Sequence, residues 1–486
     1  MSSGKHEQFT SRFGLIAATL GMAIGAGNIW RFPRLAGEYG GAFLIPWLLF
    51  LFLWSIPLLM VEFSMGKTHR VGVLAAFRAS MGDRFTWLGW FVAFCTAAIM
   101  FYYSVVSGWA LKYALLAITG QVTKLADSDA YWHNFTTGME PLAYHLTALG
   151  MAAVVIYYGV VKGIERFSKI IIPSLYILLI LSAIKALSLT GSETGTAYLF
   201  SFKPSQLLNY KVWLEGLSQS AWSTGAGWGL ILTYAIYARE KETITENVFI
   251  TGLGNNLASM LAALAIIPTV FALSASVVDA TQALGAGNQG LAFIVIPQLF
   301  ARMPAGAIFA AVFFFALFFA ALSSLLAMLE MVVRIFMDFG ISRKKSVLLI
   351  VALTALAGAP SALSMDVFNN QDWVWGVGLL LSGFIFTLAA LKTGVSRLLP
   401  QWFPGRTIRP WLRFSIKALF YVLLPVEFAA MLVWWLYQST TWDTHIWSFS
   451  NVYSLAGTFT QWAVIILLGV VFNRMFNRRL SDGGKT

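Results

Sequence analysis

The chain has 486 residues, 58% of them hydrophobic and only 11% charged, and its mean hydropathy is +0.73. That balance excludes an ordinary water-soluble globular protein and places the chain in a bilayer. The formal charge of +12 does not point to nucleic acid, because the basic residues are scattered through short breaks between apolar runs, where lipid and topology account for them. Cys95, the one cysteine, lies inside an apolar run, which excludes an intrachain disulfide or a zinc or redox site.

Met1 to Gln8 is polar and shows no cleavable signal pattern, and the run after it is long enough to be retained as a spanning helix. Apolar runs of roughly 20 residues without period-2 alternation predict helices rather than a barrel, since a helix satisfies its own backbone in lipid. They fall at 13–36, 42–66, 87–118, 142–161, 167–189, 212–238, 246–273, 305–337, 346–364, 373–396, 412–437 and 452–473. The expectation is an all-α polytopic membrane protein of twelve transmembrane helices, read as a single domain over 1–486 with no appended soluble unit. The third and eighth runs are long enough to protrude or tilt.

Lys67, Arg70, Arg78, Arg84, Lys162, Arg166, Lys169, Arg239, Lys241, Arg343, Lys344, Lys345, Arg397, Arg406, Arg409 and Arg413 fall in loops on one side, joined by Arg474, Arg478 and Arg479. The opposite loops carry more acid, including Asp127, Asp129, Glu140, Glu193 and Asp279. The positive-inside rule therefore predicts that both termini are cytoplasmic, as 1–12 and 474–486. Short loops suggest a bacterial inner membrane. The sequence gives no sign of oligomeric state.

Two spans carry glycine clusters where a helix should be continuous: Gly21, Gly25 and Gly27 in the first, and Gly225, Gly227 and Gly229 in the sixth. Glycine costs about 1 kcal/mol against alanine inside a helix. Clusters at matching positions five spans apart therefore predict unwound midplane segments in an inverted repeat. Close packing through small residues is the alternative, and the polar neighbours Asn28 and Ser223 favour a binding site.

The run Gly25-Ala26-Gly27-Asn28-Ile29-Trp30-Arg31-Phe32-Pro33 resembles the neurotransmitter:sodium symporter family, as do Glu38 to Pro46, Ile56-Pro57 with Glu62, and Lys162 to Phe167 with Pro173. Thr233-Tyr234 and Ala320 to Ser324 extend the likeness over most of the chain. The resemblance implies two inverted five-helix repeats, 13–189 and 212–396, followed by two helices in 412–473. It further implies a sodium-coupled symporter of an amino acid or a derivative that works by alternating access.

Residue by residue, the resemblance implies a first sodium ion at Ala23, Asn28, Ser223 and Asn255, completed by the substrate carboxylate. A second would lie at Gly21, Ile24, Ala320, Ser323 and Ser324, although adjacent serines in a membrane helix commonly bond back to their own carbonyls. The amides of Ala26 and Gly27, at a half-helix N-terminus, would meet a carboxylate with the help of the Tyr103 hydroxyl. Ile99, Trp222, Ser223, Gly225, Trp228, Ser324 and Met328 would surround the rest of the substrate. Gly25 stands where amine-carrying members hold an aspartate, so the cargo should bring its own carboxylate. Ser259, with Trp47, Gln219, Ser223 and Asn255, implies a chloride cage; the alternative is that Ser259 only packs. Arg31 and Asp372, with Gln219 between them, would form an outer gate, and Tyr237 and Asp338 an inner one. His6 and Phe9 replace that latch's usual arginine and tryptophan, with Lys5 a substitute.

No phosphate loop, nucleophile triad or metal cluster is present, and His69, His133 and His145 lack ligand spacing, so no enzyme is expected. A sodium-dependent binding sensor, or a carrier of a solute other than an amino acid, are the rival readings. Glu62 is expected to bond nearby backbone, and Glu330 and Glu427 have no assignment.

Overall fold

The computed structural model describes residues 7–442 and 445–483; Lys5 and His6 lie outside them. It is helical throughout, with no strand among the described residues. Eight helices are long and apolar enough to cross a membrane, or ten when each of two bent pairs counts as one span. The remaining two expected spans, the first and the sixth, are not continuous helices.

The first is broken between α1 (Arg12–Ala23) and α2 (Ala26–Ile29), where Ile24 and Gly25 are extended. Its start is fixed by Ser11, whose hydroxyl accepts from Gly14 N–H at 3.0 Å. A Cβ at Gly14 would lie 2.2 Å from Glu165, so only glycine leaves room for that carboxylate to reach Thr10 and Ser11. The next span runs with a π-turn at Leu51–Ser55 into α3 (Ile56–His69).

There follow α4 (Thr86–Ile118), α5 (Glu140–Tyr157) and α6 (Arg166–Leu187). The sixth expected span is split into α7 (Tyr210–Ser223) and α8 (Leu230–Ile236). After it come α9 (Ile244–Leu273), α10 (Gly306–Asp338), α11 (Arg343–Leu363) and α12 (Met365–Thr393). The last of these starts eight residues before the expected 373, because Ser364 caps it by accepting from Val367 N–H, which brings Asp372 inside the helix. The short α13 (Val395–Trp402) and α14 (Pro410–Ala418) lead into α15 (Leu424–Trp442), α16 (Leu455–Val471) and α17 (Asn473–Gly483).

Glycines let the core helices approach closely. A Cβ at Gly66 of α3 would lie 2.0 Å from the Leu232 carbonyl oxygen of α8. The outer faces remain apolar and exposed, as at Ile170, Ile177 and Ile184 of α6, which is what a lipid-facing helix requires. The described ends of the chain share one face. Phe9 packs edge-on against Tyr234 and Tyr237, and Gly483 abuts Asp338 and Gly340 at the end of α10.

Candidate functional site

The two breaks face each other across one cavity of about 470 Å³. Its inner part is lined by Ala23, Gly25, Gly27, Tyr103, Trp222, Ser223, Gly225, Trp228, Ser324 and Met328, and its outer part by Arg31, Asp372, Trp435, Trp442 and Tyr453. Ile99 and Ala26 are fully buried and lie outside the lining. Met22, Tyr102, Val106, Phe368 and Gly376 line it as well; Met22, Val106 and Phe368 are apolar side chains that nothing in the sequence sets apart.

The sixth-span break is held open by its own backbone. Gly225, Gly227 and Gly229 have φ of +72°, +88° and +78°, a region that side chains rarely enter. Glu62, fully buried on α3, accepts from Gly227 N–H at 2.5 Å and Gly229 N–H at 2.9 Å. Two backbone donors that lost their helical partners are thereby satisfied. Ser382 donates to the Gly227 carbonyl, and Thr96 to that of Trp228 at 2.7 Å.

Oxygen atoms gather beside both breaks. Ser324 Oγ lies 3.4 Å from the carbonyl oxygens of Gly21 and Met22 and 3.3 Å from that of Ile24. Ser323 behaves differently, donating back to Ala320 O at 3.0 Å within its own helix. A second cluster forms at Asn255, whose carboxamide end points at Ser223 O (2.8 Å) and Ala23 O (3.2 Å). With the amide turned, nitrogen would donate to both; as placed, three oxygens converge, a donor set suited to a hard cation. Asn28 lies alongside. Its Oδ1 accepts from Gly25 N–H at 2.9 Å, and its Nδ2 donates to Asn255 Oδ1 and to Ser259 Oγ, both at 2.8 Å.

The Ala26 amide does not stand free, because it donates to Tyr103 Oη at 2.9 Å. At Gly27 a Cβ would meet nothing within 4 Å, so this stretch faces open space. At Gly25 a Cβ would lie 2.8 Å from Tyr103 Oη and 3.2 Å from Ser324 Oγ, leaving no room for an acidic side chain. Trp222 and Trp228 meet edge to face at 5.9 Å, and Trp222 lies over Gly376, whose missing side chain makes its place.

Trp47 Nε1 and Gln219 Nε2 are buried donors without a partner. The segments that carry them pack together: a Cβ at Gly216 would lie 2.8 Å from Pro46 Cβ and 3.0 Å from Trp47 N, and Gln219 follows Gly216 on α7.

At the outer end, Arg31 does not bond Asp372. Its Nη2 meets Glu215 at 3.2 Å and Ser218 Oγ at 2.7 Å, and its Nη1 donates to Gln219 Oε1 at 3.1 Å. At the opposite face Tyr237 and Asp338 are not joined either. Tyr237 Oη donates to Glu330 Oε1 at 2.8 Å, and Arg343 also grips Glu330. Asp338 pairs with Arg334 at 2.9 Å and accepts from Gly72 N–H at 2.5 Å. Phe9 N–H donates to the Tyr237 carbonyl at 3.0 Å.

A cavity built at paired breaks of membrane-crossing helices defines a multi-pass solute carrier. The family model for the sodium:neurotransmitter symporter family matches residues 6–138 and 136–476, and the chain belongs to that family. An uncharacterized sodium-dependent transporter of Methanocaldococcus jannaschii is 36% identical over 412 residues, covering 80% of this chain and 81% of that protein. The sodium-dependent serotonin transporter of Drosophila melanogaster is 27% identical over 419 residues, 77% of this chain and 67% of its own. Among solved structures, MhsT in complex with L-phenylalanine matches with a TM-score of 0.78 at 30% identity, over 88% of this chain and 99% of that one. The chain is thus a sodium-dependent membrane transporter and not an enzyme.

Proposed function

We propose that this transporter moves an amino acid, taken up together with two sodium ions by alternating access of two inverted repeats, 13–189 and 212–396. Counting each broken helix as a crossing brings the number of spans to twelve. Both termini then lie on the cytoplasmic side, since the face they share is also the basic one. Sodium is cargo here, and the oxygen sets suit it. One is Ala23 O, Ser223 O and Asn255 Oδ1 with Asn28; the other is Ser324 Oγ with the carbonyls of Gly21 and Ile24, joined by Ala320 and Ser323. The convergence of these oxygens on the two helix breaks, beside a cavity reached from the outer face, carries the reading.

The cargo's carboxylate is held by the amides of Ala26 and Gly27 and by Tyr103 at the α2 N-terminus, where the helix dipole favours negative charge. It stands next to the Asn255 oxygen set, so one ion and the substrate complete each other's shell. Its side chain lies among Trp222, Trp228 and Met328. Phenylalanine, the ligand in the MhsT structure, is the first cargo to test. Chloride is the counter-ion, held by Ser259 with Trp47 and Gln219, whose Nε1 and Nε2 are buried donors without an acceptor among the described residues. Pairing of Arg31 with Asp372 closes the outer end, and release of the Glu330, Tyr237 and Arg343 latch opens the inner one.

The test is uptake of labelled phenylalanine and a panel of other amino acids into proteoliposomes. Accumulation of an amino acid that needs external sodium, fails in choline and falls when gluconate replaces chloride is the expected result. Sodium-driven accumulation confined to solutes without a carboxylate would overturn the amino acid assignment, and sodium-dependent binding without accumulation would overturn transport.

A further inference from the structure

Between Asp372 and Glu427 the chain holds no acidic residue, yet it holds Lys392, Arg397, Arg406, Arg409, Arg413 and Lys417. Lys392 sits over the Phe85 ring at 4.3 Å. The other five side chains are exposed and enter no hydrogen bond or ion pair among the described residues. This contrasts with Arg239, Arg334 and Arg343 on the same face, each paired with an acid.

The arrangement on α14 sorts these groups by chemistry. Arg413 and Lys417 are four residues apart and so form one stripe of the helix, and Arg409 stands just before its first turn. Trp411 (62% exposed) and Phe414 (73% exposed) fall on a neighbouring stripe, while Leu412 and Ile416 are half-buried against the protein. The helix opens the candidate span Pro410–Trp442, which sets these aromatics at the depth of the membrane interface, where indole and phenyl rings partition. Cations beside them lie at headgroup level.

We propose that the segment from Arg397 to Lys417 is a binding site for acidic phospholipid. The phosphate is held by the basic stripe together with Arg397, Arg406 and Arg409, and the acyl chains lie along Trp411 and Phe414. The site reaches the transport core through a short path. Trp402 Nε1 donates to Ser64 Oγ at 2.7 Å, and Thr68 Oγ1 to Gln401 Oε1 at 3.4 Å. Ser64 and Thr68 lie on α3, the helix whose Glu62 holds the backbone at Gly227 and Gly229. The inference needs only the membrane-crossing fold and is independent of which solute is carried.

The experiment measures the thermal midpoint of the full chain in neutral detergent, against dioctanoyl phosphatidylglycerol, dioctanoyl phosphatidylcholine and inorganic phosphate. A ligand selective for the folded state raises the midpoint. Half-saturation by the phosphatidylglycerol is expected at about tenfold lower concentration than by the phosphatidylcholine, with a difference that shrinks in salt. The combined Arg397→Gln, Arg406→Gln, Arg409→Gln, Arg413→Gln and Lys417→Gln variant should lose that preference while keeping its lipid-free midpoint. Equal curves for the two lipids, an unchanged preference in the variant, or an equal shift with inorganic phosphate would each overturn the proposal. If the combined variant does not fold, Trp411→Ala with Phe414→Ala is measured in the same way. Weakened phosphatidylglycerol binding supports the site, and an unaltered curve overturns it.

Discussion

Ser324 Oγ lies within 3.4 Å of three carbonyl oxygens of the first span, whereas Ser323 is already spent on Ala320 of its own helix. The two adjacent serines are therefore unequal. Ser324→Ala should raise the sodium concentration for half-maximal uptake about tenfold, the equivalent of roughly 1.4 kcal/mol, and Ser323→Ala should raise it less. A sodium titration of uptake in proteoliposomes measures both, and equal effects would remove the distinction. Glu427 shows the opposite situation. It is 5% exposed, and neither of its oxygens has a partner among the described residues. A buried polar group left unmatched costs about 1–3 kcal/mol, so Glu427→Leu should raise the thermal midpoint by a few degrees. A lower midpoint would show that this carboxyl has a partner when the protein is at work.

At the scale of the element, the sixth-span break depends on backbone that only glycine tolerates. At Gly227, with φ of +88°, a Cβ would also lie 2.6 Å from the Gly383 Cα, which is main chain and cannot rotate away. Gly227→Ala is expected to cost about 1–3 kcal/mol in strain and to abolish uptake; a purified variant with wild-type stability and transport would contradict this. The break was legible in the sequence because three alternating glycines have no place in a continuous membrane helix. Its support was less so. Glu62 was readable as a backbone-bonding acid, but its partners lie 165 and 167 residues further along the chain. Likewise the pairing of Arg31 with Glu215 and the contribution of Phe368 and Gly376 to the cavity arise from how α7 and α12 cross the first span. No local period or composition records such a crossing.

For the molecule as a whole, the latch at the basic face is richer than sequence suggested. Glu330, which carried no assignment, receives both Tyr237 and Arg343, the latter from the next helix. Glu7 accepts from Val160 N–H at 2.7 Å, and Thr10 and Ser11 bind Glu165, so the N-terminal segment is tied to the start of α6. Removing one partner of a buried ion pair leaves an uncompensated charge, at a cost of about 3–5 kcal/mol. Arg343→Gln should therefore favour opening at this face. Faster labelling of an Ala238→Cys probe, beside Tyr237 and buried, by a membrane-impermeant thiol reagent applied from that side is the expected readout; labelling no faster than with Arg343 intact would mean that Glu330 is not a latch.

The bond from the Ala26 amide to Tyr103 Oη gives recognition a thermodynamic form. A carboxylate that accepts from Ala26 does not add a contact to an idle donor; it exchanges one acceptor for another, and only the difference between them counts toward affinity. On the proposed reading, Tyr103→Phe deletes a hydroxyl that serves the ligand and, in the same stroke, the internal rival for the amide. Its effect on the dissociation constant should accordingly fall below the roughly tenfold expected for one lost hydrogen bond, with the heat of binding changing more than the affinity, as isothermal titration calorimetry would read.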